Sequence, residues 1–212
     1  MITSNYVQFP KTVITSSGEA VCQGFQEISE CIAHACSARQ KTVVTIECYP
    51  GVNQKELLEG LDSLHAVQVF HSDDLAFEPE KIDNLLKKDL TDDPVFGIMT
   101  VRRLEDYFYS DKIKAARQEI DAITCGIVLI YGVGASLVHP GDIQILADIT
   151  RWEIQLRYRR GMNNWRTAKT DLPKLKKYKR GFFAEWRWAD KVKEQLLPTM
   201  DFYLDMTTEG KP

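Results

Sequence analysis

The sequence predicts an α/β protein with a three-layer fold, in which helices cover both faces of a mainly parallel sheet. Continuous apolar runs rich in β-branched residues, such as KTVVTIECY at 41–49 and GIVLIYG at 126–132, are typical of strands buried on both faces. Between such runs, apolar residues recur at steps of three and four, as they do from 18 to 39, which indicates amphipathic helices. Strands and helices that alternate at this spacing favour one α/β domain over 1–212.

Local patterns predict the individual elements. Pro10 in the alternating stretch at 6–16 favours an edge strand, because proline cannot donate to a sheet ladder. Gly51 marks a turn after the strand at 41–49, and Asn53 is suited to cap the next helix. The predicted order is a strand at 6–16, a helix at 18–39, a strand at 41–49, a helix at 53–64, a strand at 65–71, a polar helix and turn at 78–93, a short strand at 94–100, a helical region at 102–123, strands at 126–136 and 142–149, a helix at 152–160, a loop at 161–175, a helix at 181–197 and a last strand at 200–206.

Composition and charge limit the classes of partner. Hydrophobic residues make up 44% of the chain and charged residues 27%, and the formal net charge is −3, so we expect no bulk attraction to nucleic acid or membranes. No stretch approaches the roughly 20 apolar residues that a membrane helix needs, and the first residues lack the pattern of a signal peptide. The four histidines form no HxH or HExxH pattern, which argues against a zinc site.

The cysteines predict a redox state and a location. They are odd in number and include no CxxC pair, so we expect reduced core thiols and a cytoplasmic protein. The five are Cys22, Cys31, Cys36, Cys48 and Cys125.

Three strand ends are candidate ligand-binding positions, because ligands of open α/β sheets bind outside the carboxyl ends of the strands. They are Glu47–Gln54, His71–Asp74 and Tyr131–Ala135. The first has the layout of a phosphate-binding loop, in which a strand, a glycine turn and a helix start bring backbone N–H groups to an anion.

The loop at 47–54 departs from a working Walker loop, GxxxxGK[ST], which also needs a lysine and a hydroxyl. ECYPGVNQKE has one glycine, no GK pair and no Ser or Thr at that place. Lys55, displaced in register, is the only nearby cation, and Glu47 would repel phosphate if it pointed into the loop. The residues predict either a degenerate phosphate loop with backbone donors at Gly51, Val52 and Asn53, or a purely structural turn.

The other two strand ends also have two interpretations. Asp73 and Asp74 would provide a general base or a magnesium ligand, although the local pattern favours a turn and a helix cap. YGVGA at 131–135 would offer N–H groups to an anion, although two glycines after a strand commonly only turn the chain.

A basic segment is the most unusual part of the sequence. By direct count, residues 151–193 carry 14 Lys and Arg against 4 Asp and Glu, in a chain whose net charge is −3. This excess favours a local anion site, with a solvated charged face as the alternative. Nucleic-acid binding is the weaker interpretation, because the basic footprint is local and the protein is acidic as a whole. The candidate phosphate contacts are Arg157, Arg159, Arg160, Lys179 and Arg180.

The order of these features resembles the uridine kinase and phosphoribulokinase branch of the P-loop kinases. More closely, ECYPGV, DDPVFG, YGVGA, ADITRWEIQLRYR, YKRGFFAEWRWADKVK and DFYLDM resemble the N-terminal kinase-like region of bacterial class I mannose-6-phosphate isomerase-type proteins, over about 42–206. The resemblance implies a P-loop nucleoside triphosphate hydrolase-like fold, a catalytic base at Asp73 or Asp74, a basic lid-like region at about 151–181, and a larger protein that continues into a zinc-dependent isomerase region.

Two departures from these families bear on activity. The loop lacks the kinase lysine and hydroxyl, and no cluster of His and Glu is suited to a catalytic zinc. We therefore expect that these 212 residues alone do not isomerise a sugar.

Together these observations predict a degenerate kinase-like domain that binds a sugar phosphate or nucleotide and works with an attached or separate isomerase. One alternative is an active sugar or nucleoside kinase that uses ATP and Mg²⁺, with Asp73 or Asp74 as base and Lys55 or a lid cation in place of the Walker lysine. Another is a ligand-free protein-interaction module, in which Arg157 and Arg160 contact a partner.

Overall fold

The computed structural model describes residues 21–212, together with the isolated positions 7, 10, 11 and 13. The strands of this part of the chain are β1 (Lys41–Cys48), β2 (Gln68–His71), β3 (Gly126–Gly132), β4 (Ile143–Asp148) and β5 (Phe202–Asp205). Its α-helices are α1 (Phe25–Cys36), α2 (Gln54–Gly60), α3 (Pro79–Leu90), α4 (Ser110–Ala122), α5 (Ala135–Val138), α6 (Arg151–Arg159), α7 (Lys174–Arg180) and α8 (Trp186–Leu196). A π-helical turn, Gly181–Glu185, joins α7 to α8, and short 3₁₀ turns span Asp62–Leu64, Ser72–Leu75 and Leu104–Tyr107.

The five strands form one sheet in the order β2-β3-β1-β4-β5, and every neighbouring pair is parallel. The strand β1 is central: Lys41 pairs with Gly126 of β3, and Cys48 pairs with Ala147 of β4. The predicted parallel α/β sheet is therefore confirmed. Because the strands run in one direction, all their carboxyl ends meet at one edge.

Apolar side chains alternate between the two faces of the sheet. Val44 and Ile46 of β1 belong to a large core that includes Ile154 of α6, whereas Val43 belongs to a smaller core with Ile120 of α4. Burial on both faces explains why the strand reads as a continuous apolar run. The sheet and its two helical layers give the three-layer fold.

One predicted strand differs from the structure, and the structure does not test another. The segment 94–100, predicted as a short strand, has no regular structure and pairs with no strand of the described chain. Its apolar composition favours a strand, but its N–H bonds go elsewhere: Ile98 donates to the carbonyl of Asp89 at 2.7 Å, and Thr100 to that of Phe183 at 2.9 Å. The edge strand predicted at 6–16 lies outside the described residues, apart from four isolated positions.

The cysteines correct the expectation of a fully reduced chain. Cys22 and Cys31 form a disulfide, which links the residues before α1 to the middle of that helix. Cys36 and Cys48 are buried free thiols, and Cys125 is an exposed one. The two cysteines are nine positions apart, so CxxC spacing does not mark them as a pair.

Candidate ligand-binding site

The loop after β1 forms one wall of a cavity at the carboxyl edge of the sheet. Gly51 has a φ of +112°, and a Cβ there would lie 2.8 Å from Cγ1 of Ile154, so backbone conformation and packing both require glycine. The Val52 N–H closes the turn by donating to the carbonyl three residues earlier, at 3.0 Å. Asn53 caps α2, because its side chain accepts from the Glu56 N–H at 3.3 Å. Of the three predicted backbone donors, Gly51 and Asn53 have N–H groups without an acceptor among the described residues.

The cavity has a volume of about 490 Å³ and brings together several of the predicted site residues. Its walls come from the loop after β1, the ends of β2 and β3, the helix α6 and the loop at 162–166. The lining residues are Pro50, Gly51, Val52, Asn53, Gln54, Asp73, Val133, Arg157, Arg160, Met162, Asn163, Trp165, Arg166 and Glu209.

Arg157 lies in the cavity wall, but protein oxygens occupy its guanidinium. Its Nη1 donates to the Gly51 carbonyl at 3.1 Å, its Nη2 to the Met206 carbonyl at 3.0 Å, and its Nε to Glu153 at 3.2 Å. The residue is only 7% exposed. Through these hydrogen bonds Arg157 links the loop after β1, the helix α6 and the end of β5.

Two other arginines are the cations of the cavity. Arg160 pairs with Glu153, but its side chain is 56% exposed. Arg166 donates to the Phe77 carbonyl from Nε at 3.2 Å and from Nη2 at 2.9 Å. Arg166 has a φ of +46°, a left-handed conformation that is uncommon for a residue with a side chain. Both guanidiniums keep donors that a ligand oxygen can use, since each has five N–H groups.

Asp73 faces the same cavity and is held by two side-chain donors. Trp165 Nε1 donates to Oδ1 at 3.0 Å, and Gln54 Nε2 lies 3.5 Å from Oδ2. Burial raises the pKa of Asp73, and the Trp165 hydrogen bond lowers it by less. A partly desolvated carboxylate with a raised pKa is suited to accept a proton.

Asp74 lies apart from its neighbour in sequence. Its side chain is 76% exposed, and its Oδ1 lies 3.8 Å from Nδ1 of His71. The His71 ring stacks on Tyr131 at 4.7 Å between centroids, and its Nε2 lies 2.6 Å from Oε1 of Gln54. Of the two candidate bases, only Asp73 lines the cavity.

The side chain of Glu47 binds the YGVGA turn at 131–135 and the serine that follows it. Its carboxylate does not enter the loop after β1; it accepts from the Gly134 N–H at 2.7 Å, and from the N–H and hydroxyl of Ser136 at 2.9 and 2.7 Å. Burial raises the pKa of Glu47 to about 7, against the opposing effect of these hydrogen bonds. Of the N–H groups at 131–135 that were predicted to bind an external anion, that of Gly134 therefore donates to a carboxylate of the same chain.

The remaining predicted cations lie outside the cavity. Lys55 is 83% exposed and lies 3.7 Å from Glu59 on α2. Arg159 donates to the Tyr178 hydroxyl at 2.7 Å. Lys179 and Arg180 are 7% and 3% exposed, and bind oxygens of the protein. None of these four residues therefore lines the cavity.

Five residues of the cavity were not predicted from the sequence, and they are Met162, Asn163, Trp165, Arg166 and Glu209. Three of them lie in the NNWR stretch at 163–166, which has no strand, helix or glycine pattern to mark it as a site. Only a single arginine next to an aromatic residue distinguished this loop.

Two further structural findings concern metals and membranes. Among the described residues, no group of three or more His, Cys, Asp or Glu is arranged to hold a metal ion. None of the described helices combines the length and the apolar character needed to cross a membrane.

These features of the sheet and the cavity define the class, an α/β protein with a cavity at the carboxyl edge of a parallel sheet, where α/β proteins commonly bind ligands. The chain belongs to the family described as a domain of unknown function, DUF8485, whose model matches residues 24–212. It is also similar to a crystal structure of a candidate fructose transport system kinase from Silicibacter sp. TM1040, with 10% identity, a TM-score of 0.49, and coverage of 79% of this chain and 94% of that one. No protein with a curated description matches.

Proposed function

We propose that this chain is a kinase-like binding domain whose cavity takes a phosphorylated small molecule and does not transfer its phosphoryl group. The observation that carries the proposal is the cavity itself. Gly51 and Asn53, whose N–H groups have no acceptor among the described residues, line one wall, and Arg160 and Arg166 line others. Backbone N–H groups and guanidiniums that converge on one volume are the donors that phosphate oxygens accept from.

The size of the cavity supports a small ligand. A volume of about 490 Å³ falls within the range of small-molecule pockets. The walls also carry acceptors, since Asp73 and Asn163 line them beside apolar Met162 and Trp165. A polyol phosphate matches this mixture, because its phosphate accepts and its hydroxyls donate.

The missing transfer groups support binding without catalysis. A P-loop kinase places a lysine on the outer phosphates and a hydroxyl on its magnesium ion. ECYPGVNQKE has neither group in place, and Lys55 points into solvent beside Glu59, with 83% of its side chain exposed. Nothing in the loop therefore replaces the Walker lysine.

An active kinase is the second candidate, and Asp73 is the observation that favours it. The carboxylate lines the cavity, its pKa is raised by burial, and Trp165 fixes one of its oxygens. If ATP and Mg²⁺ enter, Asp73 is the group positioned to take a proton from a substrate hydroxyl. In that case magnesium-dependent ATP turnover should be lost in Asp73→Asn and retained in Asp74→Asn.

The proposal keeps two expectations from the sequence. The ligand signals to a sugar-phosphate isomerase of the mannose-6-phosphate type, attached to this chain or separate from it, and the domain works in the cytoplasm. The resemblance of 42–206 supports the first expectation. The free thiols of Cys36 and Cys48 favour the second, and the disulfide between Cys22 and Cys31 opposes it.

Calorimetric titration tests the proposal. The chain is titrated with mannose 6-phosphate, and with ATP in the presence and absence of Mg²⁺. We expect binding of a phosphorylated ligand, and roughly tenfold weaker binding in Arg160→Ala, because a charge-assisted hydrogen bond is lost. Lys55→Ala is the matched control, since it removes a cation near the loop but outside the cavity, and should bind as the wild type does.

The other outcomes contradict specific parts of the proposal. Equal affinity in the wild type and Arg160→Ala would show that the ligand binds elsewhere. If none of these ligands produces a binding signal, the proposal fails and the protein-interaction module is the remaining candidate function. Hydrolysis of ATP that requires Asp73 would establish the kinase.

A further inference from the structure

The apolar segment 94–101 is the most exposed hydrophobic part of the described chain outside its regular elements. Large apolar side chains occur at five of its positions, and none is buried. They are Val95 at 52% exposure, Phe96 at 71%, Ile98 at 61%, Met99 at 43% and Val101 at 89%. Contiguous exposed apolar surface of this kind marks an interaction site more often than a free surface.

The backbone of segment 94–101 has one bonded edge and one free edge. The N–H groups of Ile98 and Thr100 point to the protein, where they donate to the carbonyls of Asp89 and Phe183. Those of Gly97, Met99 and Val101 have no acceptor within the part of the chain that the structure describes. Alternate N–H groups point to opposite edges in an extended strand, so the three free groups form one edge. An exposed, unpaired edge is a template for another strand.

The charges that flank segment 94–101 are self-complementary. Asp92 and Asp93 precede the apolar residues, and Arg102 and Arg103 follow them, in the stretch DDPVFGIMTVRR. When two such segments run antiparallel, the acidic end of each lies against the basic end of the other. Opposite charges that face each other across two strands stabilise the pairing, and like charges oppose it.

We propose that segment 94–101 pairs with the same segment of a second copy of this chain, as antiparallel strands about a two-fold axis at Ile98. This register brings Gly97 opposite Met99, and the two residues exchange N–H···O bonds between the copies. It also brings the acidic residues before the segment in each copy to the same end as the arginines after it in the other copy. A two-fold contact of this kind uses the same patch on both copies.

Bonds that already exist in one copy limit the strand pairing to 97–101. The Val95 and Phe96 N–H groups both donate to Oδ1 of Asp93, so the chain turns there and is not extended. The Phe96 carbonyl accepts from the Thr91 hydroxyl at 3.1 Å, and it lies on the bonded edge with Ile98. The second copy therefore adds bonds without breaking any. The inference is independent of the proposed ligand.

Light scattering on a size-exclusion column, over a range of micromolar concentrations, tests the pairing. We expect a mass of two chains, and a mass of one chain in Ile98→Lys, whose two lysines would meet at the axis. The dimer dissociation constant should rise at least tenfold. Leu197→Lys is the control, because it charges another exposed apolar residue, 45% exposed, and should stay dimeric.

A charge-swap mixture tests the register. Asp92→Lys alone sets a lysine near Arg102 and Arg103 of the other copy, and Arg103→Glu alone sets a glutamate near Asp92 and Asp93 of the other copy, so each variant should be monomeric. In a mixture, one copy of each variant restores opposite charges at both ends, and a dimer should form. Rescue in the mixture also shows that both variants are folded. Monomeric mixtures would overturn the register.

Two results would overturn the dimer itself. The first is a wild type that has the mass of one chain at all concentrations. The second is a dimer that Ile98→Lys does not weaken. Hydrogen exchange separates the causes of a monomer: protected Gly97, Met99 and Val101 N–H groups would show that another part of the same chain covers the edge, and fast exchange would show an open edge.

Discussion

Several cations of the basic segment at 151–193 are buried and bind oxygens of the protein. Arg157, Lys177, Lys179 and Arg180 are between 3% and 7% exposed. The Lys177 ammonium donates to the carbonyls at 161 and 162, at 3.2 and 2.8 Å, and the other three also bind protein oxygens. A buried charge is costly unless it is paired or hydrogen-bonded, so these contacts explain why the cations are tolerated. Much of the local positive charge therefore supports the fold, and only part of it faces the cavity.

Arg157 gives a prediction at the residue scale. We expect Arg157→Ala to lower the free energy of unfolding by roughly 3 kcal/mol, because it leaves the carbonyls of Gly51 and Met206 without donors in a buried place. Urea denaturation measures the change. Arg159→Ala, on the same helix but with an exposed contact to Tyr178, should change it by less than about 0.5 kcal/mol. Similar losses in the two variants would contradict a structural role specific to Arg157.

At the scale of elements, the loop after β1 depends on a glycine for two separate reasons. Gly51 and Gly161 have nearly equal φ values of +112° and +111°. A Cβ on Gly51 would lie 2.8 Å from the buried Ile154, whereas a Cβ on Gly161 would meet nothing within 4 Å. The two positions thus share the cost of a left-handed conformation and differ in packing.

The two glycines form a matched pair of variants. Gly161→Ala should cost roughly 1 kcal/mol of unfolding free energy, from backbone strain alone. Gly51→Ala should cost roughly 1–3 kcal/mol more, because Ile154 is buried and stiff and must move. Thermal and urea unfolding of both variants measure the difference. Equal losses would show that the loop adjusts to the added methyl group without strain in the core.

The elements that the sequence predicts well are those with local signals. Burial on both faces of the sheet gives β1 and β3 their continuous runs of β-branched residues. Burial of one face gives α1 its apolar spacing of three and four residues. Segment 94–101 has the composition of a strand but no strand partner in the described chain, and composition does not record pairing. The sequence predicts the glycine loop of the cavity, because that loop has a local pattern. It does not predict the hydrogen bond from Arg157 to Gly51, because the two residues are 106 positions apart.

At the scale of the whole molecule, two carboxylates make the free energy of unfolding depend on pH. Burial raises the pKa of Glu47 to about 7, above its ordinary value of 4.5. Glu153 has the opposite shift, because the hydrogen bonds from Arg160 and Arg157 outweigh its burial and lower its pKa. The two groups therefore link folding to proton binding with opposite signs.

Glu47→Gln tests this linkage. Between pH 4.5 and 7 the folded protein binds more protons at Glu47 than the unfolded chain does, so the contribution of this group to stability is complete below about pH 4.5 and is lost as the pH rises through about 7. The stability of the wild type relative to Glu47→Gln should fall by roughly 3 kcal/mol from pH 4.5 to pH 8, measured by urea unfolding at each pH. Glu153→Gln is the control of opposite sign: relative to it, the wild type should lose stability as the pH falls below 4.5. If the wild type instead gained stability over Glu47→Gln toward pH 8, the donors at Gly134 and Ser136 would outweigh burial, and the 132–136 turn would be a true carboxylate site rather than a strained one.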